Sequence, residues 1–188
     1  MQQEFVEDAV ARLESTGVTY AITGSIASNF WGVPRLTHDV DILVLLPADK
    51  VAAVVAAFPE PYYVSEPSIH DALRTGTMFN VLDTGAGFKV DFWVSAGDPF
   101  SQSMLGRRRR VQLSPGHEAY VGSPEDVLLH KLVWHTITPS ERQLADAAGI
   151  AAVQAGNLDL GYLRQWAARQ GTADLLEAVL QGQHLKKT

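Results

Sequence analysis

Apolar and polar positions along the chain change period several times, and each change marks an element. Residues 3–15 set Phe5, Val6, Ala9, Val10 and Leu13 at helical spacing, and Gly17 is placed to end that helix. Thr19–Thr23 reads as a strand that runs straight into Gly24-Ser25. Ile26–Trp31 predicts a short apolar helix stopped by Gly32 and Pro34. A strand over His38–Leu45 follows, then a helix over Ala48–Phe58, despite the β-branched residues there. Tyr62–Val64, Met78–Leu82 and Phe88–Val94 predict strands, the last two joined by a hairpin-like loop over 83–87. Arg110–Leu113 and Glu118–Val121 predict short edge strands. From Ser123 onward the pattern is helical, opened by an N-cap serine, Pro124 at N1 and Asp126 at N3, and punctuated by Gly149, Gly156, Gly161 and Gly171. The expected architecture is α+β: a small mixed sheet flanked by helices in residues 1–115, and a helical C-terminal region, 116–188, packed on it.

Acidic residues interrupt two of these apolar strands. In a strand over 38–45, Asp39 and Asp41 share one face, with Cα atoms roughly 6.5–7 Å apart, while Val40, Ile42 and Val44 line the other. Two anions on one face resist burial, so a cation is expected beside them, and hard divalent ions bound through oxygen are the natural candidate. In Phe88–Val94 the same alternation puts Lys89, Asp91 and Trp93 on one face and Val90, Phe92 and Val94 on the other. If the two strands are neighbours, three carboxylates converge. Such a trio suits two Mg²⁺ ions held by Asp39 and Asp41, with Asp91 ligating one of them and helping to activate a hydroxyl. The plainer alternative is that each acid caps a turn or pairs with an arginine; three together favour the metal.

Gly24-Ser25 lies between a strand and a helix. Glycine lets backbone approach a phosphate closely, the helix N-terminus offers free N–H groups, and Ser25 adds a hydroxyl donor. The same dipeptide also serves as a plain turn and N-cap. Lys131 falls on one helical face with Val127, Leu128, Trp134 and His135. Buried there, it needs an anion, either a triphosphate or an aspartate; otherwise its stem covers apolar surface while the ammonium reaches water. Arg107–Arg110 alternate in direction along a strand, so one pair is available to phosphates, or the run is a solvated edge that discourages strand pairing. The four tryptophans are expected in the core rather than as stacking platforms.

Composition narrows the classes. The chain has 188 residues, 46% of them hydrophobic, which is ample for a folded core. Its net charge of −6 argues against a general nucleic-acid binder. It lacks cysteine, which excludes disulfides and thiolate metal sites, and no apolar run approaches a membrane span. The first residues form no secretory signal, so a cytoplasmic location is expected. The histidines show no metal-site spacing, and phosphate-loop and nucleophile-elbow motifs are missing.

Taken together, Ala21-Ile22-Thr23-Gly24-Ser25, then Asp39-Val40-Asp41-Ile42, then Val90-Asp91-Phe92 resemble the signature of the DNA polymerase β-like nucleotidyltransferase superfamily. The lead-in Arg35-Leu36-Thr37-His38-Asp39-Val40-Asp41 looks like the Arg-x-Thr-x-Asp-apolar-Asp form of its AbiEii-type toxin branch. Lys131-Leu132 followed by Arg142 and Asp146 extends the likeness over about residues 18–150. Gly-Ser here stands where many members have Gly-Gly. The resemblance implies the nucleotidyltransferase fold and transfer of a nucleoside monophosphate from ATP or another NTP to an acceptor hydroxyl on RNA, tRNA or protein. It implies Mg²⁺ (or Mn²⁺) on Asp39, Asp41 and Asp91, and nucleotide contacts from Gly24, Ser25 and Lys131. Toxin kinship would add a cognate antitoxin as partner. The alternatives are an aminoglycoside-type small-molecule nucleotidyltransferase and a non-catalytic nucleotide-binding module of the same fold.

Overall fold

A computed structural model describes residues 2–182. In chain order the elements are α1 (Gln2–Ser15), β1 (Thr19–Thr23), α2 (Gly24–Trp31), β2 (Val40–Leu45), α3 (Val51–Ala57), β3 (Tyr62–Val64), α4 (Glu66–Thr75), β4 (Met78–Asp83), β5 (Phe88–Val94), α5 (Pro99–Arg107), β6 (Arg109–Ser114), β7 (His117–Val121), α6 (Pro124–Ile137), α7 (Glu141–Val153), α8 (Leu160–Gln170) and α9 (Ala173–Leu180). A 3₁₀ turn over Ala48–Lys50 precedes α3. The chain forms the expected α+β arrangement of mixed sheet and helices. None of its described helices is long and apolar enough to cross a membrane.

Two compact units divide the described residues. One runs to Thr23 and resumes over His38–Val121; the other takes Gly24–Thr37 and the stretch from Gly122 onward. The boundaries between the units fall after Thr23, after Thr37 and after Val121.

The first unit is built on a seven-stranded sheet in the order β3-β4-β5-β2-β1-β7-β6. Its centre is mixed: β2 runs antiparallel to β1 but parallel to β5. The expected hairpin joins β4 and β5. One face is aromatic. Phe5 of α1 stacks on Phe88 with centroids 5.3 Å apart, while Phe58 and Phe79 meet Phe92 at 6.0 and 5.1 Å. Full burial of Phe92 alone contributes roughly 1.5–3 kcal/mol relative to exposure. On the other face, Met104 and Leu105 of α5 pack with Ala21 and Leu43, and Trp93 and Phe100 close the cluster.

The helical unit centres on α6, whose Val127, Leu128, Leu129 and Leu132 are fully buried. Its start is capped as the sequence suggests: Ser123 Oγ accepts from the Asp126 N–H at 3.2 Å and donates to Asp126 Oδ2 at 2.6 Å. Tyr162 donates to the other Asp126 oxygen. α2 packs against both α6 and α7.

Several boundaries differ from the sequence reading. β2 begins at Val40 rather than His38, because its last partner on β1, Thr23 opposite Asp41, is where β1 gives way to helix. α2 starts at Gly24, not Ile26; Gly24 takes φ +60°, a left-handed backbone that lets a strand turn into a helix without a linker. The predicted helix over 48–58 divides into a 3₁₀ turn and α3. α4 and α5 stand where no element was expected. Both carry start signals: Ser65 caps α4, and Asp98 caps α5 ahead of Pro99.

Candidate active site

In the sheet unit, the register settles which polar residues meet. Asp41 on β2 is the direct partner of Asp91 on β5, of Thr23 on β1, and Asp91 is the partner of Asn80 on β4. Residues opposite one another on adjacent strands point to the same face, so Thr23, Asp41, Asp91 and Asn80 form one polar row across four strands. Thr23 is buried and Asn80 exposed, so the row runs from interior to surface. Neither residue was singled out from the sequence, because only strand pairing brings them beside the acids.

The two row carboxylates are individually held. Asp41 Oδ1 accepts from the Trp93 indole N–H at 3.1 Å. Asp91 is 8% exposed; Lys89 Nζ lies 2.7 Å from its Oδ2, while its buried Oδ1 has no hydrogen-bond partner. An ionised oxygen left in that state is costly, and a cation is the group that would satisfy it. Asp39 lies just before β2, exposed, and makes interactions of its own. No three His, Asp or Glu side chains among the described residues converge into a ready-made metal cluster. Mg²⁺ typically takes only one or two protein carboxylates, the rest of its shell coming from water and substrate phosphate, so the Asp41–Asp91 pair fits that ion.

The helical unit gathers the cationic residues. Lys131 is 4% exposed, and its Nζ pairs with Asp146 Oδ2 at 2.8 Å. The ammonium does not reach water along its stem; the aspartate is the partner. Asp146 also receives Arg35, whose Nε and Nη2 reach its two oxygens at 2.7 and 2.8 Å. Burial by itself would raise the Asp146 carboxyl, but the hydrogen bonds from Arg35 and Lys131 outweigh it and hold the group below the usual aspartate value. Arg35 Nη2 further donates to Ser25 Oγ at 2.8 Å. Ser25 is buried at the start of α2, where Ser28 Oγ bonds back to the Gly24 carbonyl at 2.8 Å. The sequence reading named Gly24, Ser25 and Lys131; Arg35 and Asp146 entered it only as parts of motifs.

The arginine run lies on the β6 edge of the sheet, three strands from β2, about 14 Å at usual strand spacing. Arg107 ends α5, and β6 begins at Arg109. Arg108 and Arg110 both lie over the Tyr120 ring, at 4.5 and 5.2 Å, and Arg110 also pairs with Glu118 and Glu14. The tryptophans are half-buried rather than core, and Trp93 faces the acids.

Solved structures share this fold. JHP933 from Helicobacter pylori aligns over 97% of this chain and 90% of its own at 13% identity, with a TM-score of 0.55. An antigenic nucleotidyltransferase-like protein from Paracoccidioides brasiliensis aligns over 94% and 92% at 18% identity and 0.51. ANT(2")-Ia, solved in complex with adenylyl-2"-tobramycin, aligns over 97% and 98% at 12% identity and 0.53. No protein-family model and no curated protein matches the chain. The chain thus has a nucleotidyltransferase-like α+β fold. These likenesses do not single out the AbiEii-type branch.

Proposed function

We propose that the chain is a Mg²⁺-dependent nucleotidyltransferase that moves a nucleoside monophosphate from an NTP to an acceptor hydroxyl. The acceptor oxygen attacks the α-phosphorus, the bond to the β-phosphate breaks, and pyrophosphate leaves. The observation that carries this reading is the Asp41–Asp91 pair, two carboxylates opposite each other on adjacent strands, one with a buried oxygen lacking a partner. Asp41 and Asp91, with Asp39 at the mouth of β2, would hold Mg²⁺; when bound, the ion neutralises phosphate charge and lowers the cost of deprotonating the acceptor. Asp91 orients the acceptor hydroxyl and takes its proton. Gly24 and Ser25 receive the β- and γ-phosphates, and Lys131, held by Asp146, offsets charge on the leaving group. A cytoplasmic setting, where NTPs are available, is part of this proposal.

The acceptor we favour is RNA, tRNA or a protein, in a toxin-like role with a cognate antitoxin. A small cationic acceptor is the second reading, favoured by the likeness to ANT(2")-Ia and by the arginine run standing at the far sheet edge with Arg110 already ion-paired. Incubation of the protein with labelled NTPs, Mg²⁺ and cell extract decides among them by which molecule carries the label. Asp41→Asn and Asp91→Asn should each abolish pyrophosphate release with the fold intact. Full turnover in either variant removes the assignment. Binding of NTP with no labelled product would instead leave a nucleotide-binding module.

A further inference from the structure

We infer that Arg35 is the positioning residue for the phosphate contacts, and that it acts through the Ser25 hydroxyl. This rests on the nucleotidyltransferase reading above.

Arg35 is held from both ends. Its backbone N–H donates to Asn29 Oδ1 at 3.1 Å, and its carbonyl accepts from Asn29 Nδ2 at 2.7 Å, so one amide side chain grips the main chain as a strand partner would. The guanidinium forks onto Asp146 through Nε and Nη2, at 2.7 and 2.8 Å, and Nη1 reaches the Leu36 carbonyl at 3.2 Å. With its plane fixed by that fork, Nη2 has a second hydrogen, and this one meets Ser25 Oγ at 2.8 Å.

The consequence lies in the serine. A hydroxyl has one hydrogen and two lone pairs. Once Oγ accepts from Arg35, its hydrogen turns away from the guanidinium, since two donors cannot face each other. Ser25 is thereby presented as a donor, which is what a phosphate oxygen requires. Without Arg35 nothing fixes the direction of the hydroxyl hydrogen, which rotates to suit its surroundings. Arg35 and Lys131 both pair with Asp146, so the guanidinium is anchored beside a second cation. Lysine cannot replace the arginine. An ammonium has no planar fork and cannot hold Asp146 bidentately while aiming a further hydrogen at Ser25.

Calorimetric titration with inorganic tripolyphosphate, and with NTPs and NMPs, tests this, with Ca²⁺ in place of Mg²⁺ to stop turnover. The proteins are wild type, S25A, R35K and S25A/R35K. S25A and R35K should each weaken tripolyphosphate and NTP binding about tenfold. The double variant should be no weaker than either single one, because the two residues act as one contact. NMP binding, which lacks the outer phosphates, should not change. Multiplying losses in the double variant, or a wild-type affinity in R35K beside a weakened S25A, overturns the inference and leaves the nucleotide reading standing. If R35K fails to fold, N29A loosens the grip on Arg35 without changing any charge and should weaken tripolyphosphate two- to threefold, about 0.4–0.65 kcal/mol; unchanged affinity there overturns the inference equally. A wild type that binds no nucleotide or tripolyphosphate removes both.

Discussion

Trp93 donates its indole N–H to Asp41 Oδ1 across 3.1 Å, from the strand next to the aspartate's own. The contact links the apolar cluster under α5 to the carboxylate row, since Trp93 also packs against the cluster that Ala21, Leu43, Met104 and Leu105 form. It fixes the position of one Asp41 oxygen from a neighbouring strand. Trp93→Phe keeps most of the packing and removes a hydrogen bond to a charged group, a loss of about 1.5 kcal/mol. Nucleotidyl transfer should fall about tenfold, with the Mg²⁺ requirement raised and the thermal midpoint lowered by only about 3–6 °C. Activity and metal dependence equal to wild type would show that Asp41 needs no such support.

Lys89 and a metal ion would compete for Asp91. The ammonium lies 2.7 Å from Asp91 Oδ2 and is itself partly exposed. Lys89→Met keeps the aliphatic stem and removes the rival charge. The Mg²⁺ concentration for half-maximal activity, and the Mn²⁺ affinity read directly by calorimetry, should both improve severalfold. A poorer metal affinity in K89M would mean that Lys89 assists the site instead.

Asp146 makes stability depend on acid. Its folded-state carboxyl lies below the ordinary value, so the stabilisation it supplies is complete above the unfolded aspartate range, near pH 4, and is lost as pH falls through the lowered folded value. Asp146→Asn breaks a buried group with two cations, and at pH 7 should cost about 3 kcal/mol in urea unfolding. That gap should narrow as pH falls below about 4. A gap independent of pH would mean the charge itself contributes nothing.

Gly32 is a packing glycine. A Cβ placed there would lie 2.8 Å from the Ile150 nitrogen and 2.9 Å from the Gly149 carbonyl carbon, both backbone atoms that cannot move aside cheaply. Gly32→Ala should destabilise by about 1–3 kcal/mol, read as a lowered thermal midpoint. A stability equal to wild type would mean that α2 and α7 can separate at no cost.

Much of this protein was legible one residue at a time. Strands interrupted by Asp41 and Asp91 stand out because a lone carboxylate is out of place among Val, Ile and Phe, and alternation alone puts each on a defined face. Ser123 announced α6 because a cap is a local hydrogen bond. The missed helices α4 and α5 had caps of the same kind, in Ser65 and Asp98-Pro99, but short apolar stripes between them and the next strand. Gly32 shows the opposite case: as a helix stopper it was read correctly from the chain, yet its reason lies in the backbone of α7.

By itself, then, the sequence determined most of the elements, the strand faces of Asp41 and Asp91 and the chemistry those acids invite, since these depend on neighbours within a few residues. Which residues stand beside them was decided only by tertiary structure. Strand order made Asp91 the partner of Asp41 and drew Thr23 and Asn80 into the same row. Helix packing gave Lys131 an aspartate 15 residues away and delivered Arg35 to Ser25. Register and packing are properties of pairs of segments far apart in the chain, and no local pattern encodes which pairs will form.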